Sequence, residues 1–189
     1  MFLGAIADDV TGATDLASVL RRAGLTVVQT LDTFAIPAGA DAVVVSLKIR
    51  TADPAFARSS AGEAPDALRA AGAGQIYFKY CSTFDSTDAG NIGPVLDELS
   101  GRLHTTFSIA CPAYPALART VYAGHLFVGN QLLSHSSMRH HPLTPMSDAN
   151  LVRVLGRQTG SRVGLVDLAI VEAGSRAVAR RFAELAAAG

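Results

Sequence analysis

The sequence predicts an α/β protein: a three-layer open sheet, mainly parallel, of about six strands, with an irregular stretch inserted at about 113–147. Three observations carry this. Strand-like and helix-like patterns alternate along the chain, which calls for a parallel sheet covered on both faces. Val43-Val44-Val45 is a continuous β-branched run, as suits a central parallel strand. Polar residues collect just after the predicted strands, where open α/β sheets bind ligands.

The elements follow in order. Residues 2–7 read as a buried strand. A helix over 11–23 shows Leu16, Ala17, Val19 and Leu20 at helical spacing. A second strand spans 26–31 and ends in a polar turn at Asp32 and Thr33. The third strand, 41–47, holds the valine run. An alanine-rich helix is expected over 61–71 and a fourth strand over 75–81. The next helix, 92–103, places Ile92, Val95, Leu96 and Leu99 on one face. A fifth strand is expected over 105–111, then the irregular stretch, a helix over 149–158 and a sixth strand over 163–166. The last helix, 174–188, carries Val178, Phe182 and Leu185 at i, i+4 and i+7. A β-α-β series would continue with a strand, so by pattern alone the domain either stops early here or simply ends on this helix.

Apolar residues make up 49% of the 189 and charged residues 17%, which places the chain among globular proteins. Sixteen basic residues balance sixteen acidic ones, so no cationic surplus argues for nucleic acid or an anionic membrane. The first apolar run has no basic leader and is interrupted by Asp8 and Asp9, unlike a signal peptide or a membrane span. A cytoplasmic location is therefore expected. Cys81 and Cys111 are too few for a disulfide framework and read as buried thiols.

The polar clusters carry the chemistry. Asp8, Asp9, Thr11 and Gly12 sit where the first strand turns into the first helix. One residue suffices to cap a helix, so two carboxylates and a hydroxyl there suggest more than a cap. Lys48, Arg50 and Thr51 follow the third strand. Lys79 interrupts the apolar fourth strand, and Ser82, Asp85, Ser86 and Asn91 come after it. In a parallel sheet all of these fall on one edge. Cations suit a carboxylate ligand, and Asp and Ser suit a polyol, so the pocket fits a small hydroxy acid. Four of the five histidines lie within 125–141, yet no His-x3-His or Cys-x2-Cys spacing occurs and no acidic ligand lies among them, so no metal is expected. Arg139 is the best anion-binding residue of the irregular stretch.

These segments together resemble a known family. Ile6-Ala7-Asp8-Asp9-x-Thr11-Gly12-Ala13-Thr14-Asp15 is similar to the opening of the four-carbon acid sugar kinases. So are Tyr77 to Thr87 with Gly90-Asn91-Ile92-Gly93-Pro94-Val95, Ala110 to Pro115, Gly124 to Gly129, and Met138-Arg139-x-His141-Pro142-Leu143-Thr144-Pro145-Met146. The order and spread of the matches look most like the 3-oxo-tetronate kinase branch. The resemblance implies a two-domain enzyme in which an N-terminal domain holds the acid sugar. A C-terminal domain binds ATP with Mg, and phosphate passes to the O4 hydroxyl of a 3-oxo-tetronate. It implies that residues 1–189 are the acid-sugar domain, truncated at its C-terminal end and inactive alone, with ATP and Mg bound mainly by an absent nucleotide domain supplied in cis or by a separate chain. No Gly-x4-Gly-Lys-Ser/Thr loop occurs here. A homo-oligomer is a further expectation.

On this reading Asp9 orients the substrate hydroxyls or acts as base toward the attacking one. Lys79 and Arg50 pair with the substrate carboxylate. Asp8, Thr11, Gly12, Lys48, Ser82, Asp85, Ser86, Asn91 and Arg139 complete the binding set. Two departures from the family pattern, Asn130 and His135, replace carboxylates in the irregular stretch. Two other functions compete. One is a phosphatase with Asp8 or Asp9 as nucleophile, although that class expects Asp-x-Asp. The other is a non-catalytic module that binds small acids.

Overall fold

The computed structural model describes residues 2–188. Strand β1 (Leu3–Ala7) leads into helix α1 (Val10–Arg22), then β2 (Val27–Leu31) and β3 (Ala42–Ser46). Helix α2 (Pro54–Ala70), strand β4 (Gln75–Lys79) and helix α3 (Ile92–Leu103) follow. The strands form one parallel sheet in the order β2-β3-β1-β4.

Side chains alternate across this sheet with the two-residue period of a strand. Ala5, Ala7 and Val44 pack under α1, against Ala13, Leu16 and Leu20. Ile6, Val43 and Val45 point the other way, against Ala57, Ala61, Ala64 and Leu68 of α2 and Val95 and Leu99 of α3. The fold is therefore three-layered, as expected. Each valine or isoleucine buried this way contributes about 1.5–3 kcal/mol.

The structure differs from the sequence reading in four places. First, the parallel sheet has four strands rather than about six. Residues 105–111 and 163–166 have strand-like sequences but join no ladder. A strand needs a hydrogen-bonding neighbour; 106–111 instead run exposed, and Phe107 leans on Phe182 with ring centroids 5.1 Å apart. Second, the stretch 113–147 contains an antiparallel sheet of β5 (Arg119–Tyr122), β6 (His125–Val128) and β7 (Gln131–Leu132). Its first turn is Ala123-Gly124 with φ of 47° and 75°, the left-handed pair that a two-residue hairpin needs. Alanine is an unusual residue there, which hid the hairpin. Third, α2 begins at Pro54 instead of 61. Asp53 caps it through Ala55 and Phe56, and Pro54 takes the first turn, where its missing N–H is harmless. Fourth, Cys111 is exposed and Cys81 half-buried, so Cys111 departs from the buried thiol expected.

Helices α4 (Leu151–Gly156), α5 (Leu168–Glu172) and α6 (Ser175–Ala187) complete the chain. A second apolar core joins Tyr80, Phe84 and Ile92 to Leu126, Leu133, Met146, Leu151 and Val154. It fastens the antiparallel sheet to the end of β4. No described helix is long and apolar enough to cross a membrane.

Candidate functional site

Parallel pairing decides where the polar clusters meet. Ala7 is in register with Ser46 on one side and Lys79 on the other. The segments after β1, β3 and β4 therefore leave the sheet side by side. Backbone bonds continue the register, with the Asp8 amide donating to the Lys79 carbonyl at 3.0 Å and the Ile49 amide to the Asp8 carbonyl at 3.0 Å.

At the centre stands Arg50. Its Nε and Nη2 donate to the two oxygens of Asp8 at 3.0 and 2.8 Å, and its Nη1 lies 2.8 Å from Asp9 Oδ2. Planar guanidinium and planar carboxylate match in this two-point grip. Burial pushes the Asp8 carboxyl up, against the pull of Arg50. Burial also works against the Arg50 charge, but the Asp8 hydrogen bonds outweigh it and hold the guanidinium above its ordinary range. Asp9 has two jobs: Oδ2 meets Arg50, while Oδ1 accepts from the Gly12 amide at 2.6 Å and caps α1.

Gly12 opens a cradle beside this pair. A Cβ there would lie 2.7 Å from Asp9 Oδ1, 3.5 Å from Lys79 Nζ and 3.7 Å from Arg50 Nη2. Two cations thus converge over the first turn of α1, whose free amides favour anions. Lys79 Nζ makes one hydrogen bond, to the Tyr80 carbonyl at 2.8 Å, and has further N–H groups to offer. An open groove of about 180 Å³ runs from Lys79 and Ser82 past Tyr77 and Tyr80 to Cys111 and Tyr114. By contrast, the seam between Asp8, Arg50, Asp85 and Asn91 has no free volume for water.

The other expected residues divide between these places. Ser82 borders the groove. Thr11 is exposed in the first turn of α1. Asp85 is buried and accepts from the Thr83 hydroxyl at 2.5 Å. Ser86 is buried and accepts from Gln158 Nε2 at 2.7 Å. Asn91 donates to the carbonyls of Ile49, Arg50 and Ala52, tying the β3–α2 turn to α3. Lys48 lies apart from the cluster, exposed and paired with Asp32 at 3.1 Å. Arg139 is also apart, exposed on the irregular stretch and 3.5 Å from the Ser134 carbonyl. Cys81 and Thr83 were missed by the sequence reading; Cys81 Sγ lies 2.9 Å from the Thr83 hydroxyl, and burial pushes the thiol up. Among the described residues no group of three His, Cys, Asp or Glu gathers closely enough to hold a metal ion.

Comparison with known proteins supplies the family. The model of the sugar-binding N-terminal domain matches residues 3–189. The chain belongs to that family. A 3-oxo-tetronate kinase from Burkholderia multivorans is 55% identical over 189 residues, which cover 99% of this chain and 44% of that protein. A Haemophilus influenzae protein of known structure superposes with a TM-score of 0.95 at 47% identity, over 98% of this chain and 46% of that one. A Bordetella bronchiseptica protein solved as a domain-swapped dimer with bound citrate gives a TM-score of 0.69 at 31% identity, over 82% of this chain and 40% of that one. The chain spans less than half the length of the curated relatives it matches.

Proposed function

We propose that this sugar-binding domain holds the four-carbon acid substrate of an ATP-dependent kinase that phosphorylates the O4 hydroxyl of a 3-oxo-tetronate. The observation that carries the reading is the convergence of Lys79 Nζ and Arg50 Nη2 over Gly12. Arg50 is largely neutralised by Asp8 and Asp9, so Lys79 supplies most of the attraction for a substrate carboxylate. Asp9, its side chain 27% exposed, keeps lone pairs free beside its two bonds and orients a substrate hydroxyl by accepting from it. The groove of about 180 Å³ accommodates a four-carbon acid. The relatives' kinase names and the citrate bound to the Bordetella protein support an acid ligand. ATP and Mg would be held by the part of the enzyme that lies outside the segment matched here. The chemistry of phosphoryl transfer is positioning plus charge stabilisation, and this segment supplies positioning. An aspartyl-phosphatase reading fares worse, because both oxygens of Asp8 are gripped by Arg50 and cannot approach phosphorus freely.

Calorimetric titration tests the proposal. Threonate or erythronate binds this chain, and ATP binds far more weakly. ATP binding tighter than either acid would overturn it.

A further inference from the structure

The loop between β4 and α3 carries five of the residues assigned above, Ser82, Asp85, Ser86 and Asn91 with Lys79 at its root. It has no regular structure of its own. It is also held in a costly shape. Phe84 is 1% exposed with φ of 53°, a left-handed conformation that a bulky side chain rarely adopts. Such a backbone persists only where its surroundings over-determine it. Tyr80 supplies one support, edge-on to Phe84 with ring centroids 5.4 Å apart.

The other support comes from about 70 residues further along the chain. Gln158, just past α4, spends its whole amide on this loop. Nε2 donates to Ser86 Oγ at 2.7 Å and to the Thr87 carbonyl at 2.5 Å, while Oε1 accepts from the Gly93 amide at 2.9 Å. The Thr87 carbonyl can only accept and the Gly93 amide can only donate, so the two fix which way the amide points. Neighbours extend the tie. Arg157 Nη1 lies 3.0 Å from Asp88 Oδ1, the Thr159 hydroxyl bonds Asp97, and the Gly160 amide donates to Asp97 Oδ2 at 3.1 Å. The fit is close: a Cβ on Gly93 would lie 2.6 Å from the Gln158 carbonyl carbon and 2.8 Å from its oxygen.

We infer that Gln158 is a positioning residue for acid-sugar recognition. The turn 157–160 acts as a clasp that sets the loop's conformation, and with it the place of Ser82 at the groove beside Lys79, which the sheet itself holds. This rests on the acid-sugar reading of the groove. The Gln158 side chain hydrogen-bonds Ser86, Thr87 and Gly93 rather than the groove residues, so its reach is through the loop and the start of α3.

Two substitutions separate this role from simple stabilisation. Gln158→Met keeps the length and removes all three bonds. Gln158→Glu keeps an acceptor for Gly93 at the α3 N-terminus, where a negative charge is favoured, but sets oxygen against the Thr87 carbonyl. The measurements are threonate affinity well below the melting temperature, the melting temperature itself, and hydrogen exchange of the 82–93 amides. Both variants should bind threonate at least tenfold more weakly, with faster exchange confined to 82–93, and Glu should melt higher than Met. Unchanged affinity in folded variants, whatever their melting temperatures, would overturn the inference. So would unchanged exchange in the loop. If the unsubstituted chain does not bind threonate, the acid-sugar reading fails by itself; the exchange measurement still decides whether the clasp exists.

Discussion

Arg50 grips Asp8, 42 residues earlier in the chain, through two parallel hydrogen bonds of 3.0 and 2.8 Å. The Asp8 side chain is 5% exposed and that of Arg50 20%. A charge pair so placed contributes little net stability when whole, yet breaking it leaves an uncompensated buried charge.

Arg50→Ala should therefore destabilise the domain by about 3–5 kcal/mol. Arg50→Lys keeps the charge without the fork and should recover only part of this. Urea unfolding of the three proteins measures it. A loss below about 1 kcal/mol would mean that Asp8 is solvated once Arg50 is gone.

Asp9 separates capping from recognition. Asp9→Asn retains an oxygen for the Gly12 amide and loses only the part-exposed ion pair with Arg50, so stability should fall by no more than about 1 kcal/mol. Asp9→Ala removes the cap as well and should cost about 1 kcal/mol more. Both should weaken threonate binding about tenfold or more, because both remove the carboxylate that orients the substrate. Binding that follows stability alone, with Asn like the unsubstituted protein, would leave Asp9 as a cap only.

Gly12→Ala places a methyl group 2.7 Å from Asp9 Oδ1 and within 3.5 Å of Lys79 Nζ. Helix propensity by itself favours alanine by about 1 kcal/mol. The crowding should reverse that gain and weaken acid binding by more than tenfold. Titration with threonate, together with a thermal melt, checks both halves.

Asp148 gives the acid limb of the stability curve a specific source. Its carboxyl accepts from Arg153 Nε and Nη2 at 2.7 and 2.8 Å and from the Asn150 amide at 2.9 Å. The Arg153 hydrogen bonds, foremost, hold it down to about 2, from an ordinary 3.8. A carboxyl lowered on folding stabilises fully above its unfolded value. That contribution fades as the pH falls from about 4 to about 2. Asp148→Asn should flatten the stability profile in this window and leave its shape near pH 7 unchanged. Melting temperatures measured across the window test it.

Strand β4 is paired on one side only among the described residues; Tyr77 on it is 42% exposed and Ile109, beyond α3, 66%. An unpaired edge beside apolar side chains invites association. Light scattering should show concentration-dependent self-association of this chain, and Ile109→Lys should reduce it. A monomer at all concentrations would refute the expectation.

Much of the molecule was legible in its residues. The valine run of β3, the strand-to-helix alternation up to Leu103 and the polar residues after β1, β3 and β4 are local patterns with local causes, and they gave the three layers and the edge where Asp8, Asp9 and Lys79 meet. What pattern could not supply was pairing. Residues 105–111 and 163–166 have strand composition, but a ladder depends on a neighbour, and composition does not say whether one is there. The Ala123-Gly124 hairpin escaped because its alanine holds a conformation that a stable sheet on either side enforces. Only tertiary structure showed that Arg50 spends its charge on Asp8 and Asp9 while Lys79 keeps N–H groups to offer. Only it brought Gln158 to Ser86. Local sequence sets which elements form because their hydrogen bonds and apolar periods close within a few residues. Which buried polar group meets which partner, across 42 or 72 residues, is set by how those elements stack.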